Sequence, residues 1–289
     1  MVTLAHFSDA HALGLAGTSP LAFLNKRLAG GANLLLHRRN RYPVRIFEAL
    51  VDDLNRVRPD HVAVTGDLTN LSLPSEFAIA RGLLDRIALG PERVTVIPGN
   101  HDVYVRAARR ARAFERAMAP YASSDGRAGE PTYPIVRERG ELALVGISTA
   151  VPTPVPFASG RVGRRQLEAV EEALARLEGR RFRVVLIHHP PVENRHAALR
   201  GLRDRGRLQA VLARAGCELV LHGHEHRDLA AAVAGPRGPI PVLGVGSATY
   251  DDPRPERRAR YRLLRIDGGR FTVETRVHDP ASGEFAPIR

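Results

Sequence analysis

Val94-Thr95-Val96-Ile97-Pro98-Gly99-Asn100-His101-Asp102, "VTVIPGNHD", is a β-branched apolar run. It halts at a proline and a glycine and then delivers an amide, an imidazole and a carboxylate in succession. The apolar part, Val94–Ile97, is predicted to be a strand, since short β-branched apolar runs of this kind read as strands. The polar triplet alone would be unremarkable, because Asp and Asn after a strand are usually turn formers or helix caps. Its meaning comes from repetition. Strand Thr3–Ser8 ends in Asp9-Ala10-His11, strand His61–Thr65 in Gly66-Asp67, strand Arg183–His188 in His188-His189, and strand Leu219–His222 in Gly223-His224-Glu225-His226. In α/β sheets the carboxyl ends of strands converge on one edge, so these distant groups are predicted to meet there.

Working outward, helical periodicity lies between the strands, around Pro43–Val57, Ser75–Ile87, Tyr104–Met118, Gly163–Leu177 and Leu208–Ala215. A further strand is predicted at Leu142–Ser148. This alternation is the signature of an α/β chain. From Pro239 onward only strands are predicted, at Val242–Val245, Arg260–Ile266 and Phe271–Val277, with Asp267-Gly268-Gly269 as a hairpin turn. They suggest a second sheet packed on the first within one domain spanning residues 1–289. One connection is too long. From Ala12 to Tyr42 about thirty residues separate the first strand from the next helix, where ~2–6 is usual. This segment mixes Phe23, Leu24, Leu28, Leu34, Leu35 and Leu36 with Lys26, Arg27, Arg38, Arg39 and Arg41, and reads as a helical cap over the strand ends.

Composition bounds the chemistry. The chain has 289 residues, is 44% hydrophobic and contains one cysteine, Cys217, which excludes an internal disulfide framework and a cysteine zinc cluster. Cys217 itself reads as a small buried residue. No stretch reaches the ~20 apolar residues of a membrane span. The start lacks the pattern of a signal peptide, so a reducing cytoplasm is the expected compartment. The net charge of +12 suits an anionic partner, yet only Lys26 among the 43 basic residues is a lysine, which points to a general preference for arginine over a tuned patch. With aromatics at 5%, a base-stacking groove for nucleic acid is disfavoured.

Two carboxylates, an asparagine and at least four imidazoles at successive strand ends make a mixed nitrogen and oxygen donor set without thiolate. Such a set suits Mn, Fe, Zn, Co or Ni, in one site or in two sharing a carboxylate. Asp9-x-His11, Gly66-Asp67, Gly99-Asn100-His101-Asp102, His188 and Gly223-His224-x-His226 also resemble, in order and spacing, the motifs of the calcineurin-like metallophosphoesterases. That resemblance implies a four-layer α/β/β/α sandwich of two mixed sheets and a dinuclear centre. It implies that Asp9, His11 and His226 hold one ion, that Asn100, His188 and His224 hold the other, and that Asp67 bridges them. His101 would face the phosphate and Asp102 would orient His101, although Asp102 could equally cap the helix near Tyr104. His189 and His222 would be wall and strand residues, and His6, His61 and His278 structural.

The implied reaction is hydrolysis of a small phosphoester, chiefly a phosphodiester, by a hydroxide formed between two divalent ions. The alcohol is not specified. Cyclic nucleotides, glycerophosphodiesters and lipid-linked pyrophosphates of the UDP-2,3-diacylglucosamine type all remain, as do a nuclease and a non-catalytic scaffold. The leucine- and arginine-rich segment 12–42 would suit peripheral association with an anionic membrane, at its inner face.

Overall fold

The computed structural model describes residues 1–33, 41–126, 131–193 and 197–288. Along the chain the strands are β1 (Val2–Phe7), β2 (His61–Val64), β3 (Val94–Val96), β4 (Ile135–Arg139), β5 (Leu142–Gly146) and β6 (Phe182–Ile187). They continue with β7 (Leu219–His222), β8 (Leu229–Val233), β9 (Ile240–Gly244), β10 (Arg260–Asp267), β11 (Arg270–Asp279) and β12 (Glu284–Pro287). The helices are α1 (Lys26–Asn33), α2 (Val44–Val57), α3 (Pro74–Asp85), α4 (Arg106–Arg110), α5 (Ala113–Ala122), α6 (Arg164–Arg176), α7 (Ala197–Arg200) and α8 (Arg205–Ala215).

The strands form two six-stranded sheets, ordered β12-β11-β10-β1-β2-β3 and β4-β5-β6-β7-β9-β8. β1, β2 and β3 run parallel, as do β5, β6, β7 and β9. Their apolar runs are divided between two cores by the two-residue period of a strand. Leu144, Val184, Leu186, Leu219 and Leu221 face the first sheet and share a core with Leu4, Leu264 and Ile266. Their neighbours Ala143, Val145, Val185, Ile187 and Val220 face the other way, onto Leu167, Val170 and Leu174 of α6 and Leu208 and Leu212 of α8. α2, α3 and α5 pack Phe47, Leu50, Phe77, Leu84 and Phe114 onto the first sheet. The result is the four-layer α/β/β/α sandwich of two mixed sheets.

Two expectations are corrected, and three strands are added to those predicted. The C-terminal strands do not make a sheet of their own: β9 joins β7 and β8, whereas β10 pairs antiparallel with the free edge of β1 and brings β11 and β12 with it. The helix predicted over Tyr104–Met118 is two, because Arg112 takes a left-handed conformation (φ 49°) between α4 and α5. Its guanidinium bonds the Pro131 carbonyl. Finally, β4, β8 and β12 have weak strand signatures, being respectively charged, alanine-rich and proline-containing. All three are edge strands, where such residues are tolerated.

Within segment 12–42, α1 is bound down beside the strand ends. Arg27 donates to the carbonyls of Leu71 and Ser72, each at 2.8 Å, and Lys26 reaches Thr153 Oγ1 at 3.2 Å. Residues 34–40, with three of the leucines that suggested a cap, lie outside the described residues.

Candidate metal centre

The backbone at the strand ends is bent to present side chains. Asp9 (φ 57°), His11 (φ 45°), Asp67 (φ 53°), His224 (φ 71°) and His226 (φ 51°) all occupy the left-handed region. This conformation is uncommon for residues other than glycine, and costs about 1 kcal/mol or more each. The strain is held by cross-loop hydrogen bonds from Asp9 N to Gly66 O and from His11 N to Asp67 O, both 2.9 Å. Two glycines permit the close approach. A Cβ on Gly99 would stand 2.1 Å from Asp67 Oδ1, and one on Gly223 would stand 1.9 Å from Ser8 Oγ and 2.6 Å from Asp9 Oδ2.

The predicted residues are brought together. Asp9 Oδ1 lies 3.1 Å from His226 Nε2 and 3.9 Å from His11 Nε2, and those two ring nitrogens are 3.2 Å apart. On the other side, His188 Nε2 lies 3.3 Å from Asp67 Oδ2 and 3.2 Å from Asn100 Oδ1. Asp67, His188 and His224 offer a second compact donor group, and Asp67 also closes with His11 and His101. Asp67 therefore stands between the two groups.

Hydrogen bonding sets which ring nitrogen faces inward. A carbonyl can only accept, so a ring nitrogen bonded to one carries the proton and leaves the other nitrogen's lone pair available. His188 Nδ1 donates to Thr65 O at 2.7 Å, His11 Nδ1 to Thr69 O at 3.2 Å, and His224 Nε2 to Arg200 O at 2.9 Å. His11 and His188 thus present Nε2, and His224 presents Nδ1. Asp9 and Asp67 are buried, and Asp9 Oδ1 has no hydrogen-bond donor of its own. A buried carboxylate oxygen without a donor is costly unless a cation faces it. Burial opposes ionisation of Asp67, but His188 and His101 hold it well below the usual carboxylate range. Conversely, burial opposes charge on His188, while Asp67 and Asp9 lift it to about 9. His224 stays neutral, driven down by burial and by His189 and His188. Asp9 and Asp67 thus draw positive charge to the site, held at His188 by a proton that a cation would displace to reach the Nε2 lone pair, which fits divalent cations.

The remaining predicted residues separate. His101 borders the cleft; its Nδ1 donates to Asn70 O at 2.6 Å and its backbone N–H to Asp67 Oδ1 at 2.7 Å, which sets Nε2 on the side of the ring away from Asn70. Asp102 does not touch the His101 ring, nor does it cap a helix. Its buried carboxylate instead accepts from Gly99 N (2.9 Å), Thr69 N (2.9 Å), Thr69 Oγ1 (3.0 Å) and Leu68 N (3.3 Å), which ties the loop after β2 to the loop after β3. His189 uses both ring nitrogens, on Thr149 Oγ1 and Ala158 O. His222 points away, its Nδ1 on Gly223 O.

Three neighbours of the site had no signal in the sequence. Tyr42 Oη lies 3.3 Å from His226 Nδ1, Tyr104 stacks on the His101 ring, and Arg200 lines the cleft while its carbonyl holds His224. Arginine is so frequent here that one more attracts no notice. The cleft encloses about 370 Å³, bounded by Asp67, Asn100, His101, His224, His226 and Arg200.

Comparison with known proteins agrees with this geometry. The family model for calcineurin-like phosphoesterases matches residues 2–228. A cAMP/cGMP dual specificity phosphodiesterase from Mycobacterium tuberculosis is 30% identical over 257 residues, 85% of this chain and 67% of that protein. A probable cyclic nucleotide phosphodiesterase from Rhodococcus erythropolis is 28% identical over 198 residues, 67% of this chain. The chain spans 58% of the length of that second relative. Among solved structures, a dimetal phosphatase from Danio rerio superposes with a TM-score of 0.64 at 13% identity, covering 99% of this chain and 98% of the other. A purple acid phosphatase from yellow lupin gives 0.59 at 13% identity, over 99% of this chain and 52% of its own.

Proposed function

The chain belongs to the calcineurin-like phosphoesterases, and from that membership and the site we propose that it is a two-metal hydrolase of phosphodiesters. The observation that carries this reading is the pair of donor groups sharing Asp67, with one orphaned carboxylate oxygen and three imidazole lone pairs turned inward. In this reading Asp9, His11 and His226 hold one ion, Asn100, His188 and His224 the other, and Asp67 both. Bound there, two divalent ions would acidify water and neutralise phosphate oxygens. The chain's own groups do the rest. His101, its Nδ1–H committed to Asn70, turns Nε2 to the cleft; with a second proton on Nε2 the ring gives that proton to the departing alkoxide, returns to the neutral form and is reprotonated from solvent. Arg200 offers a cation to a phosphate oxygen away from the ions. Asp102 acts through the two loops it ties and is a positioning residue.

The names of the two curated relatives support cyclic nucleotides as the first substrates to test. The chain, loaded in turn with Mn, Fe, Co, Ni and Zn, is expected to hydrolyse bis(p-nitrophenyl) phosphate and cyclic AMP. Asp67→Ala is expected to lose about a thousandfold in turnover, roughly 4 kcal/mol of transition-state stabilisation. Inactivity of the unaltered chain with every ion would sink the enzyme reading and leave a binding role.

A second reading concerns where the substrate is met. Seven of the ten exposed large apolar side chains among the described residues are Leu15, Leu21, Leu24, Leu28, Val155, Phe157 and Leu199, so exposed apolar surface is concentrated on a few segments. Those segments brace the cleft: Lys26 bonds Phe157 O, and Ala158, which lines the cleft, donates to Leu199 O. Together with the basic net charge, this supports peripheral contact with an anionic membrane and keeps a lipid-linked phosphodiester open. No helix among the described residues is long and apolar enough to cross a membrane. The chain is expected to sediment with vesicles containing phosphatidylserine, and Leu21→Ser/Leu24→Ser/Leu28→Ser to release it; equal sedimentation of both excludes this contact.

A further inference from the structure

A second cavity, of about 400 Å³, opens beside the metal centre on the same edge of the sandwich, outside the ends of β3 and β5. None of the candidate metal ligands lines it. Its floor is apolar, formed by Val103 and Phe114, both buried. Two arginines, Arg109 from α4 and Arg161 from the loop before α6, line it from exposed positions; neither has an ion pair among the described residues. Glu115, Tyr133, Ser148 and Gln166 add to its polar lining.

Tyr133 is the telling group. Its hydroxyl is buried and has no hydrogen-bond partner among the described residues. Buried tyrosine hydroxyls nearly always find a partner, and this one, on a residue that lines the cavity, is enclosed without one among the described residues. Burial and the Glu115 carboxylate push this phenol well above its ordinary range, so it remains a donor. The wall is rigid as well. The Gln166 amide accepts from Ser148 N at 2.9 Å and donates to Ser148 O at 2.8 Å and Val162 O at 3.0 Å. Arg161 N is fixed on Thr149 O at 3.0 Å.

We infer that this cavity is a binding site for a small organic phosphate of about the size of a nucleoside monophosphate, separate from the metal centre. Two guanidinium forks match a phosphate dianion better than a single carboxylate, since each can donate in parallel to two oxygens. The apolar floor suits a flat ring, Tyr133 supplies a donor, and Glu115 an acceptor for a sugar hydroxyl or an amino group. The volume falls within the ~300–1,000 Å³ of small-molecule sites. The two sites are joined by short connections. Val103 is two residues from His101, and Thr149, in the cavity's loop, bonds the His189 ring that walls the metal centre at 2.7 Å.

The test is calorimetric titration of AMP, adenosine and inorganic phosphate into the full chain and into Asp67→Ala, whose metal centre is disabled. AMP is expected to bind both, about tenfold or more tighter than either adenosine or phosphate. Arg109→Ser/Arg161→Ser should weaken AMP about tenfold or more, and Tyr133→Phe severalfold. Ala150→Phe, which fills the cavity with both arginines in place, should weaken it likewise, and bis(p-nitrophenyl) phosphate turnover should stay within about twofold of the unaltered chain in the arginine pair. Undiminished AMP affinity in the arginine pair, or loss of AMP binding in Asp67→Ala, overturns the site. Phosphate binding as tightly as AMP overturns the organic part of the assignment. Because the titration reads binding, its outcome is independent of whether the metal centre turns over phosphodiesters.

Discussion

At His222 the ring nitrogen Nδ1 bonds Gly223 O at 2.9 Å and the side chain is buried, whereas two residues on His224 turns its Nδ1 to the cleft. An alternating trio would put His222, His224 and His226 on one face of an extended strand. The left-handed backbone at His224 and His226 breaks that alternation. His222→Ala is therefore expected to keep metal content near that of the unaltered chain by atomic absorption, and His224→Ala to lose at least one ion per chain. Equal losses would show that the assigned register is wrong. His101→Ala is expected to keep its metals while turnover falls about 10²–10⁴-fold, the usual range for a lost general acid. Residue identity made the donor set legible in the sequence, because imidazole and carboxylate chemistry travels with the side chain. The role of Asp102 was not legible. Its partners, Gly99, Leu68 and Thr69, lie on two loops, and nothing in the Asn100-His101-Asp102 run tells where the third side chain turns.

At the scale of elements, buried strands carry the clearest signal and the most testable titration. His61 opens β2, buried, with Nε2 on Thr95 Oγ1 of β3 at 2.8 Å. Burial, then the charges of Arg137, Arg139 and Arg93, push it down to about 3. In the unfolded chain histidine titrates near ~6.5, so between that pH and about 3 the unfolded state holds the extra proton. Stability then falls as pH is lowered through this window, by about 1.4 kcal/mol per pH unit for this group. His61→Gln is expected to flatten the dependence of urea-unfolding free energy on pH between 6.5 and 5 by about that slope, whatever its effect at pH 8. An unchanged slope would mean that His61 is protonated in the folded chain. The central strands were legible because they are short, predominantly apolar and rich in β-branched residues. The edge strands β4, β8 and β12 were not, since an edge tolerates charge, alanine and proline.

Across the whole molecule, one buried carboxylate joins the C-terminal strands to the N-terminal half. Asp53 of α2 accepts from Tyr261 Oη of β10 at 2.6 Å and from Arg276 of β11 at 2.7 and 2.9 Å. Asp53→Ala would leave the Tyr261 phenol without its acceptor and the largely buried Arg276 guanidinium with only Glu274 and the Phe285 carbonyl. It is expected to cost about 3–5 kcal/mol, read as a lower urea midpoint with unchanged m. A loss under about 1 kcal/mol would show that β10 and β11 are held by strand pairing alone. The sequence by itself determined the α/β class, the strand ends as the place of chemistry and the donor types gathered there. These follow from side-chain identity and from periods of two and 3.6 residues, which are local. Only the tertiary structure decided that β10–β12 extend the sheet of β1, which nitrogen of each histidine faces the cleft, and that a second cavity stands beside it. Each of these depends on pairings between residues far apart in the chain, and such pairings leave no local pattern to read.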